Sequence, residues 1–205
     1  MPSSRKKLSW SDQSSGDTSN LAASTNSFGT SENATFGPKP GSSRRERLAA
    51  AFDLPDRRAA LGQIDLLTVR HHPGSRATAV LLAGWLCSRL GWRPGRLGPI
   101  NGHELRGDAH RAQADVEIAL EPIDQEAPGL GGVTVGCDGG FALSLDRATG
   151  GLCARERLRD GSERVWQVLG ASRGEGGILG EGVRQALLRD PTYAPALDAA
   201  GGFCG

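Results

Sequence analysis

Ala114-Asp-Val-Glu-Ile-Ala-Leu-Glu121, closed by Pro122, sets Val116, Ile118 and Leu120 against Asp115, Glu117 and Glu121. Successive strand side chains point to opposite faces, so this period of two predicts a strand with one face on a core. Pro122 cannot donate to a ladder and ends it. The same grammar repeats downstream. Val133 and Val135 run into Asp138-Gly139, a short-hairpin signal, and Phe141, Leu143 and Leu145 follow on the far side. A turn at Ala148-Thr149-Gly150-Gly151 leads to a strand over 152–159, and Asp160-Gly161 turns the chain into another over 164–169. The spacing predicts an antiparallel β-meander sheet with one solvated face.

Upstream, Ile64–His71 (IDLLTVRH) is rich in branched apolar residues and stops at Pro73-Gly74, which predicts a further strand. Ser75 then caps a helix running to about Leu90. That helix (RATAVLLAGWLCSRL) is apolar almost all round and belongs at the centre of the core, with Gly84 letting another backbone approach closely. Residues 91–113 mix Arg, Gly, Pro and polar groups without a period and predict a long loop. Ser43-Arg44-Arg45-Glu46 is a capping box that opens a helix carrying Leu48, Ala51 and Phe52, and Pro55 starts a second helix that Gly62 stops. Helical spacing returns at 178–188, and Asp190-Pro191 opens a last segment that ends at Gly201-Gly202. The expected class is α+β, with the sheet packed against helices. The domain spans 43–200, between a Ser-rich disordered leader (1–42) and a flexible tail (201–205).

Composition narrows the function. The 24 Lys plus Arg against 23 Asp plus Glu give a net charge of +1, too little to gather phosphate backbones or anionic lipids, so neither nucleic acid nor membrane is an expected partner. The most apolar run, Ala77–Cys87, falls far short of the roughly 20 residues a bilayer needs. Cys87, Cys137, Cys153 and Cys204 are widely spaced without a C-x-x-C arrangement, which fits reduced thiols in the cytoplasm.

The sequence carries no catalytic signature. Gly129, Gly131, Gly132 and Gly136, like Gly174, Gly176, Gly177 and Gly180, miss the G-x-G-x-x-G spacing of a phosphate cradle. No catalytic residue, cofactor or metal is therefore expected. A competing reading makes the 91–113 loop a small active site in which His103, His110 and Asp108 meet, although a loop without rigid support is a poor scaffold for catalysis. Arg155, Arg157 and Arg159 alternate on one strand with Arg164 on the next, so they read either as a solvated face balanced by Glu156, Asp160 and Glu163 or as a cationic docking patch. Trp92, beyond its helix, is a candidate exposed anchor. Cys137 and Cys153, if paired across neighbouring strands, would make a redox-responsive regulator.

Four stretches carry a resemblance: RRERLAAAFDLPDRRAAL (44–61), ATAVLLAGWLCSRLGWRP (77–94), GFALSLDRATGGLCARERLRDGSERVWQVL (140–169) and LLRDPTYAPAL near the end. In this order they resemble the C-terminal domain of the OpcA-type glucose-6-phosphate dehydrogenase assembly proteins of bacteria. LLAGWLCSRLGW is the most specific part. The resemblance implies a protein without enzymatic activity that binds glucose-6-phosphate dehydrogenase and favours its active oligomer, and so entry into the oxidative pentose phosphate pathway. It also implies a further N-terminal domain in other members, in whose place the leader stands here. It places no contact residue.

Overall fold

The computed structural model describes residues 48–49, 52, 58, 60–112, 114–169 and 191–204. The leader, the capping box at 43–46 and the helical spacing at 178–188 lie outside the described residues. The elements are β1 (Ile64–His71), α1 (Arg76–Leu90), β2 (Arg93–Pro94), β3 (Gly98–Ile100), β4 (Glu104–Arg111), β5 (Ala114–Pro122), β6 (Leu130–Cys137), β7 (Ala142–Ala148), β8 (Gly151–Arg157), β9 (Glu163–Leu169) and α2 (Tyr193–Gly202).

Among the described residues the strands form one sheet in the order β2-β4-β5-β1-β6-β7-β8-β9, with β3 also on β4. Consecutive strands from β6 to β9 pair antiparallel, as the turn signals require. Between β5 and β6, however, the expected run of neighbours is interrupted. There β1 inserts, parallel to β5 with Val69 opposite Leu120, and antiparallel to β6 with Val69 opposite Val133. The sheet is therefore mixed, and the continuous antiparallel meander is corrected. The physical reason lies in β1 itself, whose core-facing Leu67 and Val69 are fully buried with a strand on each side.

The long loop expected at 91–113 is also corrected, because it folds into β2, β3 and β4. Strand β4 places Glu104, Arg106, Asp108 and His110 on one face and Leu105, Gly107 and Ala109 on the other. Gly107 lacks a side chain for a reason: a Cβ there would lie 2.5 Å from the Arg96 carbonyl oxygen, so the 95–97 backbone packs directly on the strand.

One face of the sheet carries the core. Leu67, Val69, Val116, Ile118, Leu120, Val133, Val135, Leu143 and Leu145 are buried together, beneath Ala79, Leu82, Ala83, Leu86 and Cys87 of α1. Leu48, Phe52 and Ala60 join them, with Phe52 packed edge-on to Phe141 at a centroid distance of 6.2 Å. Ser75 precedes α1 but makes no side-chain cap. Its Oγ accepts instead from the Gly129 N–H at 2.8 Å, tying the start of the helix to the approach to β6. The helix ends at Gly91 in the left-handed conformation (φ 67°), where Cys87 O accepts the cap N–H. As expected, Gly84 admits a second backbone: a Cβ there would lie 2.5 Å from Ala196 O and 2.7 Å from Ala200 N of α2. Residues 201–204, expected as a tail, are seated. Phe203 is 2 % exposed and its carbonyl accepts from the Leu97 N–H at 3.1 Å.

Candidate functional site

The opposite face of the sheet is polar, and strand register assembles it. Thr68 pairs with Thr134, Thr134 with Ser144, and Ser144 with Arg155, so one row crosses β1, β6, β7 and β8. Arg70, one pleat along, lies across this row. Its Nη2 donates to Thr134 Oγ1 (2.8 Å), Ser144 Oγ (3.0 Å) and Asp146 Oδ1 (2.7 Å), and its Nε donates to the same Asp146 oxygen at 3.0 Å. Ser144 donates to Asp146 Oδ2 at 2.6 Å. Gly132 leaves the space this needs, since a Cβ there would collide with Asp146 and crowd the guanidinium. Thr68, Thr134 and Ser144 are consequently buried, so this face is not simply solvated at its centre.

Toward β4 the same face turns acidic. Arg106 donates to Glu104 and, at 2.8 Å, to Glu117 Oε1, with Glu121 at 3.6 Å. The hydrogen bond that Glu104 accepts, helped by the neighbouring carboxylates, holds the Arg106 guanidinium above its ordinary range. One guanidinium thus serves three carboxylates, so this end of the face keeps a net negative charge.

Register also decides the fate of each candidate. Arg155 and Arg157 project from β8 on this polar face, as expected. Arg164 does not join them. It pairs with Glu156, whereas Arg155 faces Val165 and Arg157 faces Glu163, so Arg164 lies on the other face. Arg159 falls beyond β8 in the turn and donates to Gln63 Oε1. In that turn Asp160 accepts from the Ser162 hydroxyl and N–H, which holds its carboxyl below the usual range. Trp92 is 5 % exposed, within the core, and the exposed-anchor reading is corrected: its backbone N–H donates to Cys87 O at 2.9 Å, so the chain turns back at the end of α1 and the side chain is buried.

The redox reading fails on the same geometry. Cys137 lies on the core face of β6, its Sγ 3.4 Å from Ala60 O, whereas Cys153 pairs with Asp146 and Gln167 on the polar face of β8, with β7 between. All four cysteines are free thiols. Burial pushes the Cys87 thiol up to about 12 and the Cys137 thiol up to about 11, the opposite of an activated nucleophile.

The histidine site is taken apart as well. His103 lies in the turn before β4 and His110 near its far end, about 23 Å away at strand rise. His110 Nδ1 meets Asp115 Oδ1 at 2.7 Å instead, beside Arg93 and Arg111 at an exposed corner. Among the described residues no group of three His, Cys, Asp or Glu side chains could hold a metal ion, and no helix is long and apolar enough to cross a membrane. The Arg70 ladder is hardly legible in the sequence. Its one signal was a set of small hydroxyl residues at outward positions of apolar strands, and only the insertion of β1 beside β6 brings them together.

Comparison with known proteins gives this scaffold its relatives. Residues 42–197 match the family described as the C-terminal domain of a glucose-6-phosphate dehydrogenase subunit. The chain belongs to this family. It is also similar to three cyanobacterial proteins that carry the provisional name OxPP cycle protein OpcA. In Synechococcus elongatus the identity is 38% over 89 residues, covering 42% of this chain and 20% of that protein. In Nostoc punctiforme it is 50% over 50 residues, covering 24% and 11%. In Synechocystis sp. it is 44% over 50 residues, covering 24% and 10%. The alignments thus span a fifth or less of each relative's length.

Proposed function

We propose that this protein is a non-catalytic partner of glucose-6-phosphate dehydrogenase, binding the enzyme and favouring its active oligomer at the entry to the oxidative pentose phosphate pathway in the cytoplasm. The observation that carries this reading is the family match across residues 42–197, reinforced by the OxPP-cycle names of the relatives. The site geometry agrees with it, because Arg70, Arg106 and Asp146 are held in ion pairs within a sheet face. The mechanism is linkage: a protein that binds the active assembly more tightly than the inactive one shifts the population toward it. Arg155 and Arg157, side by side on the polar face, are the cationic surface proposed to meet an acidic patch of the enzyme.

The test is direct. The protein alone turns over no glucose 6-phosphate, co-elutes with the dehydrogenase in gel filtration at micromolar concentrations, and lowers the substrate concentration the enzyme needs. Independent migration of the two proteins refutes the proposal. Arg155→Glu with Arg157→Glu should weaken the complex at least about tenfold, and more at low salt. Unchanged affinity removes the arginines from the interface without touching the wider reading.

A further inference from the structure

The two edges of the sheet are built differently. At one, β2 has two residues and β3 three, and each contains a proline (Pro94, Pro99), the usual ways of blunting an edge against unwanted pairing. At the other, β9 runs seven residues without proline, in unbroken register with β8 from Arg157↔Glu163 to Gly151↔Leu169. Among the described residues nothing pairs with its outer side. Val165 is 59 % and Trp166 37 % exposed.

The hairpin fixes which backbone groups face outward. Leu158 N–H donates to Ser162 O at 2.9 Å, so hydrogen-bonded pairs continue at Glu156–Arg164, Ala154–Trp166 and Leu152–Val168. The N–H and C=O groups of Glu163, Val165, Gln167 and Leu169 therefore point away from β8. That array is self-complementary. Two copies of β9 related by a twofold axis through Trp166 place Val165 opposite Gln167 of the second copy and Glu163 opposite its Leu169. Every outward group of the strand then has a partner, and no like charges lie opposite. The axis falls on a non-hydrogen-bonded pair, where facing side chains approach most closely, and the residue there is Trp166, matched with itself.

We propose that β9 is a dimerisation edge, at which a second copy of this chain adds its own β9 antiparallel, centred on Trp166, to make one sheet continuous across both copies. The inference is independent of the dehydrogenase reading. A strand edge buries less than a standard interface, so the dimer belongs in the micromolar range.

Sedimentation equilibrium of the full chain, from micromolar to hundreds of micromolar, should show a reversible monomer–dimer equilibrium. Val165→Pro removes an outward N–H without touching the β8–β9 ladder. It should weaken the dimer at least about tenfold with an unchanged circular-dichroism spectrum. Should that variant fail to fold, Val165→Lys keeps the amide and sets like charges diagonally across the axis, so the dimer should weaken and partly recover with salt. Leu197→Ser, at an exposed apolar position on α2, should leave the dimer unchanged. A chain monomeric throughout, or a dimer indifferent to both Val165 variants or lost in Leu197→Ser, overturns the proposal.

Discussion

Cys87 and Cys137 show what burial does to a reactive group at the scale of one residue. Both thiols ionise near 9 when unfolded and well above it in the folded chain, so the native state keeps protons that the unfolded state loses. Their contribution is fully present below pH 9. It falls as pH rises toward 11 and 12, by up to about 1.4 kcal/mol per pH unit for each thiol. Chemical denaturation at pH 8 and pH 10.5 should show that loss, and Cys87→Ala should flatten it. At pH 8, maleimide should modify exposed Cys204 in the native protein and reach Cys87 only on unfolding. Gly84 is the second decisive residue. Gly84→Val forces α1 and α2 apart at Ala196 and Ala200 and should cost about 1–3 kcal/mol, read as a lower urea midpoint at constant slope.

At the scale of elements, the Arg70 ladder joins β1 to β7 across β6. Removing the guanidinium in Arg70→Met leaves Thr134, Ser144 and Asp146 short of a donor, at a cost of about 2–4 kcal/mol. Arg70→Met and Asp146→Asn should be less than additive in a double-mutant cycle, because both break one network. The elements themselves were largely legible. Alternation and turn residues put β1 at Ile64–His71 and α1 up to Leu90, and the Asp-Gly dipeptides marked the β6–β7 and β8–β9 hairpins. Strand β4 was not legible, because two of its three core-facing positions are Gly107, small to admit the Arg96 carbonyl, and Ala109, so Leu105 alone carries the apolar signal of an inward face. Sites fared worse. Whether Arg164 stands with Arg155 depends on a single step of register, and whether β5 neighbours β6 depends on a strand fifty residues upstream. Composition within one segment carries neither fact.

At the scale of the molecule, the family and the sheet meet in its surfaces. Helices α1 and α2 cover one face, the Arg70 and Arg106 networks occupy the other, and β9 ends the sheet. The proposed docking on the dehydrogenase rests on side chains of the polar face and the proposed self-pairing on the outward backbone of β9, two sets of groups that adjoin where Arg155 stands beside Val165. Arg155→Glu with Arg157→Glu should therefore impair the first while Val165→Pro impairs the second, and gel filtration of each variant with and without the enzyme separates the two effects.

The position of β1 bears on how the chain acquires its shape during synthesis. This strand leaves the ribosome before either of its neighbours, with Leu67 and Val69 needing partners some fifty residues later in β5 and sixty-five later in β6. Until both arrive, the nascent chain exposes an adhesive segment with α1 and core residues such as Leu48, Phe52 and Ala60 as its available cover. Long-range closure of this kind slows folding and invites chaperone capture. A stalled chain ending before β6 should stay protease-sensitive throughout, and one extended past Cys137 should become resistant from β1 outward.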